Sequence, residues 1–373
     1  VDDLEVSSGK SRAKGRLQIG LAGERREIKA RLDAPLIDLQ EFYGAEDKAR
    51  RESEPARGDG RVFPDDPLPV AALKALEGKV DLHVEKLRLA DGRTMEGVGG
   101  RVSFKRGRID GEDIKLRLDE RELRLRFSGD ASSGRELALN AALSGEKVPL
   151  AALTGLLGMS AAPQGAPTDV AVNLTGRGAS VRALMASANG DVRMVVGPGR
   201  IKNRALDVGA DVTELLNALN PARTRDEYSE LKCAVLRFPV RNGIATIDNG
   251  IAVETAKVRL IGGGTVNLRT EQLELGFRPA ANTGFGVGGL ARFAKVSGTL
   301  ADPQIGLDMA SAAAGAAAAG AAMITGGLSL LAGGLLLNDV PENVCQVALS
   351  GAPKPKQESG GSIFDPIKKL FGN

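Results

Sequence analysis

The strongest constraint on this chain is a strand–turn–strand phrase that occurs three times. It stands first as Gly100-Arg101-Val102-Ser103-Phe104-Lys105-Arg106-Gly107-Arg108-Ile109. It returns as Gly190-Asp191-Val192-Arg193-Met194-Val195-Val196-Gly197-Pro198-Gly199-Arg200-Ile201, and again as Arg237-Phe238-Pro239-Val240-Arg241-Asn242-Gly243-Ile244-Ala245-Thr246-Ile247. Each copy joins two alternating apolar/polar runs through a turn that contains glycine. Alternation at period two sends successive side chains to opposite faces, so each copy predicts an antiparallel hairpin with one apolar face. The copies are unevenly spaced, which excludes a solenoid of fixed repeat. A long series of such hairpins makes a surface rather than a catalytic cleft.

The same alternation fills the intervals. Ile114, Leu116 and Leu118 alternate with Lys115, Arg117 and Asp119, and Leu123, Leu125 and Phe127 alternate with Arg124 and Arg126. Leu137, Leu139, Ala141 and Leu143 repeat the scheme, as do Val170, Val172 and Leu174. Strands resume from Leu231 to Phe277, and a final strand is expected over Val296–Leu307. In Leu82, Val84, Leu87 and Leu89 the alternation skips a residue, predicting a bulge at Glu85–Lys86. Helical spacing predicts short helices at Pro69–Leu76, Val148–Met159, Val181–Ala188 and Val208–Leu219. The expected fold class is mainly β: an elongated antiparallel sheet with short flanking helices and a C-terminal Ala/Gly-rich helical region. Residues 1–45 read as the end of an N-terminal sheet region and 46–68 as a charged linker. The main sheet takes 69–308, the Ala/Gly-rich segment 309–340, and a tail 341–373. Because alternation is already under way at Gly15–Leu21, the chain reads as a piece of a longer one.

Composition narrows the function. Aromatic residues are 3% of the chain, tryptophan is absent and glycine numbers 48, which fits thin aliphatic layers and many turns. The 50 basic and 47 acidic residues nearly cancel to a net +3, without the basic stripe and stacking aromatics of a nucleic-acid binder. Arg101–Arg126 is locally basic, but acidic residues interleave, as on a solvated sheet face.

The residues of chemistry are sparse. His83 sits alone between Leu82 and Val84 and reads as structural. No Cys/His cluster has metal-ligand spacing. Gly262-Gly263-Gly264-Thr265 lacks the Lys-Ser/Thr of a phosphate loop and predicts a glycine bulge. With no nucleophile–base pair, no catalytic residue, metal site or cofactor is expected, and the chain is not expected to be an enzyme. Cys233 and Cys345 read as two unpaired thiols, a bridge between them being the lesser alternative. Met309–Leu337 carries no charge and is long enough for a bilayer span of about 20 residues. Its Ala/Gly content favours instead a helical hairpin packed on protein or lying against lipid. In the tail, Ile363, Phe364, Ile367, Leu370 and Phe371 share one helical face opposite Lys368 and Lys369. That face suits an interfacial membrane foot, and equally a short partner-binding or core-docking helix.

Four stretches give the order of elements a family likeness. They are Pro69–Leu73 with Asp81–Val84 and the Val102–Gly111 hairpin; Ala171–Ala179 leading through a helix to Asn189–Val192; Val235–Asn249 with Thr255–Leu268; and Val296–Pro303, an Ala/Gly-rich region, Cys345 and Lys368–Gly372. In this order the chain, from about Pro69 onward, resembles the C-terminal half of the AsmA-like family of bacterial envelope proteins. The resemblance implies an inner-membrane anchor near the N-terminus, a periplasmic body, and kinship with bridge-like lipid transfer proteins, so that the elongated antiparallel sheet of 69–308 is expected to be curled into a β-groove with an apolar trough. It implies roles in outer-membrane assembly and lipid homeostasis.

The residues lend that expectation support of their own. About 14 strands at roughly 4.8 Å each would make a trough of about 65–70 Å. Its aliphatic face, left bare, would far exceed the few hundred Å² that soluble monomers expose. Candidate trough residues are Leu116, Leu118, Leu125, Phe127, Leu139, Val172, Val192, Val258, Leu260 and Leu275. The alternative is that they pack a closed core beneath helices. Expected partners are phospholipid or another acyl lipid, a membrane surface and outer-membrane assembly proteins, with no nucleic acid. The expected function is binding or conveying phospholipid; the alternative is a non-transporting scaffold for outer-membrane proteins.

Overall fold

Period-two segments become strands in the computed structural model, which describes residues 4–20, 26–41, 60–89, 94–156, 164–202, 228–256, 258–282, 294–307 and 340–351. The first strands are β1 (Leu4–Ser8), β2 (Ser11–Gly20) and β3 (Arg26–Asp38). After helix α1 (Val70–Ala75) come β4 (Leu76–Arg88), β5 (Thr94–Lys105), β6 (Arg108–Leu118), β7 (Arg121–Asp130) and β8 (Leu137–Pro149). Helix α2 (Leu150–Leu156) leads to β9 (Pro167–Gly178), and α3 (Val181–Ala186) to β10 (Asn189–Val196) and β11 (Gly199–Lys202). The series closes with β12 (Tyr228–Arg241), β13 (Ile244–Thr255), β14 (Val258–Asn267), β15 (Gln272–Ala281), β16 (Ala294–Gly298), β17 (Pro303–Leu307) and helix α4 (Val344–Ser350).

All of these strands belong to one open, curled sheet in which each pairs with its neighbours in the chain, except that β10 and β11 both pair with β12. The ladder is antiparallel except at β3–β4, which pair in parallel from Arg26↔Leu76 to Asp38↔Arg88. The strands before residue 45 are thus continuous with those after 69. At about 4.8 Å per step the ladder is about 70 Å long.

Two of the three repeated phrases are hairpins with two-residue turns. Both central residues take positive φ, Arg106 at 52° and Gly107 at 80°, Asn242 at 49° and Gly243 at 74°. That geometry matches the right-handed twist of the flanking strands. The second phrase does not reverse. β10 and β11 both pair antiparallel with β12, so Gly197-Pro198 is a kink in a strand that runs on. The cause is local: the Gly197 N–H donates to Pro167 O on β9, and Pro198 has no N–H to give.

Other expectations are corrected in detail. The Val296–Leu307 strand is a hairpin, β16–β17, that turns where Thr299 N–H donates to Asp302 O. The irregularity expected at Gly262–Gly264 lies on the partner strand, between Ile247 and Ile251 of β13, while those glycines hold register with β15. The skipped alternation at Glu85–Lys86 lies where β5 bends at Gly97, with φ 57°, and the β5–β6 register shifts. The helix expected at Val208–Leu219 lies outside the described residues, as do Met309–Leu337 and the tail from 352. Among the described residues no helix is long and apolar enough to cross a membrane.

The two cysteines, read as free thiols, form a disulfide between β12 and α4. Their separation of 112 residues hides the pairing from the sequence.

Candidate functional site

Strand register carries one apolar row across the sheet. Leu17, Ala30, Val80, Val102, Gly111, Phe127, Ala141, Leu174, Gly190, Val240, Ala245, Val266 and Leu273 stand directly opposite one another from β2 to β15. No polar side chain interrupts it. One residue over, on the other face, the row reads Gln18, Lys29, Lys79, Ser103, Asp110, Ser128, Asn140, Thr175 and Asn189 from β2 to β10. Registers that match strand by strand therefore turn local alternation into one long apolar face and one polar face.

The apolar face is sealed at the strand ends and left half-buried between them. At one end of the strands, Val70, Ala131 and Leu137 pack with Leu68, Leu73 and Leu139. On the same end, Ala188, Val240, Ala245 and Leu268 pack with Phe63, Met185 and Phe238. At the other end, α2 lays Ala152 and Leu153 over Leu118, Leu123 and Val148, beside a cluster of Ala166, Val196 and Leu231. Each cluster joins ladder neighbours to a short helix or segment; none joins distant strands. A β-sandwich would bury the middle of this face against a second sheet. Here Leu125, Leu143, Val172 and Val192, paired in sequence across β7–β10, all stay half-buried.

Among the ten candidates, Leu118 is buried and Leu116 packs beside it beneath α2. Leu139 lies in the cluster under α1. Leu125, Phe127, Val172, Val192, Val258, Leu260 and Leu275 are half-buried on the apolar face. Ile363, Phe364, Ile367, Leu370 and Phe371 lie outside the described residues.

A sealing segment escaped the sequence reading. Residues 60–69, at the end of the presumed charged linker, form a strap along the strand ends from the β14–β15 turn back towards α1. The fully buried Glu271 accepts the backbone N–H groups of Val62 (2.5 Å) and Phe63 (2.9 Å). Arg182 N–H donates to Pro64 O and Leu68 N–H to Ala179 O, while Ser180 Oγ and Arg182 Nη1 both donate to Asp65. The signal available was Phe63 and Leu68 among charges, each followed by proline. Hydrogen bonds to a buried charge contribute about 1.5–3 kcal/mol each. Glu271→Ala is therefore expected to cost about 2–4 kcal/mol in urea unfolding and to speed exchange of the Val62 and Phe63 amides. A loss below about 0.5 kcal/mol would contradict the strap's role.

Among the described residues the other face carries an apolar patch across β10 and β12–β14, and the chain covers it. Val195, Val235, Ala252 and Ile261 are register partners on β10, β12, β13 and β14. Helix α4 sets Val344 and Ala348 on them, one helical turn apart and both buried. Arg237 Nε donates to Ala348 O at 2.9 Å, and the Cys233–Cys345 bond fastens the helix to β12.

Polar hollows occupy the charged face. The larger, about 620 Å³, is lined by Arg108, Asp110, Asp130, Asn140 and Arg177 among others. Asp130 is held below the usual carboxylate range by hydrogen bonds from Ser132, with Arg108 and Arg177 adding attraction. His83 stands exposed on this face, in a smaller hollow with Asp33, Asp81 and Arg101.

The chain is similar to the AsmA family protein YhjG of Escherichia coli (strain K12), 24% identical over 301 residues, covering 76% of this chain and 41% of that protein. It thus spans less than half the length of the curated relative it matches. No protein-family model and no solved structure matches the chain. That sequence similarity supports an AsmA-like relationship for the chain.

Proposed function

We propose that this chain is part of an envelope protein that binds or conveys phospholipid, with acyl chains lying along the apolar face of the sheet. The observation that carries the reading is a contrast between the two faces. Where the polar face turns apolar, a disulfide-fastened helix covers it. The far longer apolar row on the opposite face is sealed only at the strand ends and, among the described residues, has no covering layer. Acyl chains supply that layer, gaining about 0.8 kcal/mol per buried methylene. An apolar row without polar breaks offers no fixed anchor, so a lipid can shift along it at similar energy. The disulfide supports a periplasmic location, since such bonds persist in oxidising compartments. Inner-membrane anchoring follows from the family resemblance alone.

Organic extraction of the purified chain followed by lipid mass spectrometry tests the proposal. Phospholipid at a fixed ratio to protein is expected. A lipid-free protein that takes up none from phosphatidylethanolamine/phosphatidylglycerol vesicles favours the scaffold alternative.

A further inference from the structure

Two phenylalanines on the apolar face lie down rather than stand up. Phe127 on β7 is directly opposite Gly111 on β6, and Phe277 on β15 is directly opposite Gly262 on β14. A Cβ added to Gly111 would overlap the Phe127 ring itself, and one on Gly262 would lie 2.5 Å from Cδ1 of Phe277. Each ring therefore occupies the space over its partner's backbone that a side chain would otherwise fill. Two more glycines of this face are roofed in the same way, Gly129 by Ile109 and Leu137, and Gly145 by Leu123 and Val148.

An aromatic side chain standing on a sheet is the tallest obstacle an apolar floor can carry. Laid across a glycine, it adds apolar contact without height. We infer that Gly111 and Gly262 set the clearance of the trough by letting Phe127 and Phe277 lie flat, so that flexible polymethylene chains pass over them. The inference rests on the lipid-binding reading above and makes these four residues determinants of what the trough admits. The pairs stand about seven steps, or about 34 Å, apart, one near the middle of the ladder and the other towards its β17 end.

Gly111 is the position to test. Its φ is not positive, so its backbone accepts an L side chain, and the atoms in the way belong to a ring that can swing. A Cβ at Gly262 would also strike the carbonyl oxygen of Gly276, which cannot swing aside. The full chain, carrying a photocrosslinking side chain at position 125 or 260, is loaded from phosphatidylethanolamine/phosphatidylglycerol vesicles and irradiated. With Gly111→Ala, the raised ring should lower lipid labelling at 125 at least threefold while labelling at 260 holds. Phe127→Ala added to Gly111→Ala should restore it. Unchanged labelling at 125 overturns the inference. Should Gly111→Ala lower labelling at both positions, the double variant decides: recovery supports the inference and continued loss overturns it. Absence of lipid labelling in the unsubstituted chain would instead overturn the lipid-binding reading itself.

Discussion

A chain with Cys233 and Cys345 both replaced by serine is expected to lose about 4 kcal/mol of stability, because the bridge closes a very long loop. The two residues are 112 apart, and cross-linking at that distance removes much of the freedom of the unfolded chain. The folded state gives a second reason. α4 has seven residues, too few to hold a helix unaided in water. It persists through Val344 and Ala348 on the β12–β14 patch, the Arg237–Ala348 hydrogen bond and the disulfide. Without the bridge, docking becomes marginal and the patch of Val235, Ala252 and Ile261 is uncovered. Urea unfolding of oxidised, reduced and doubly substituted chains should place the last two together, well below the first, with easier proteolysis near α4. Equal stability in all three would show that the helix holds without its fastening.

Val172→Asp separates an open trough from a closed core. Val172 stands mid-sheet, opposite Leu143 on one side and Val192 on the other, and is half-buried. In a sealed core an unpaired carboxylate would cost several kcal/mol and unfold the region. On a face that water reaches when lipid is absent, the carboxylate stays hydrated and the fold loses about 1 kcal/mol or less. Bound lipid fares worse, because acyl chains would have to desolvate the charge. Lipid content should fall about tenfold or more while the urea midpoint barely moves. Leu118→Asp gives the contrast. Leu118 lies buried beneath α2, so that variant should be destabilised by about 3 kcal/mol or more. Similar destabilisation by both substitutions would show the trough to be a packed core.

What the sequence revealed was what neighbouring residues dictate. Alternation at Ile114–Leu118 or Leu137–Leu143 names strands and faces because period two is a local property. Asn242-Gly243 announces its hairpin because positive φ is a local demand. Features that failed to show depend on partners distant in the chain. Glu271 resembles any acidic residue in a turn until its carboxylate meets the Val62 and Phe63 amides some 208 residues away. Gly197-Pro198 carries turn residues, yet β11 continues along β12 instead of folding back. Parallel pairing of β3 with β4 shows in neither strand alone, since it depends on where the chain re-enters the sheet. Within the candidate site, the apolar phase was legible residue by residue. The division between rims sealed at Leu118 and Leu139 and a middle left open at Leu125 and Val172 was not, since it depends on which helices land where.

The central claim is that lipid contacts one face of the sheet and not the other. Photocrosslinking side chains at Leu125, Val172 and Leu260, against Arg124 and Arg193 as their neighbours on the polar face, measure this directly after loading from phospholipid vesicles. Strong lipid labelling from the first three and background labelling from the two arginine positions is the expected result. Equal labelling from both faces, or none from either, would contradict it.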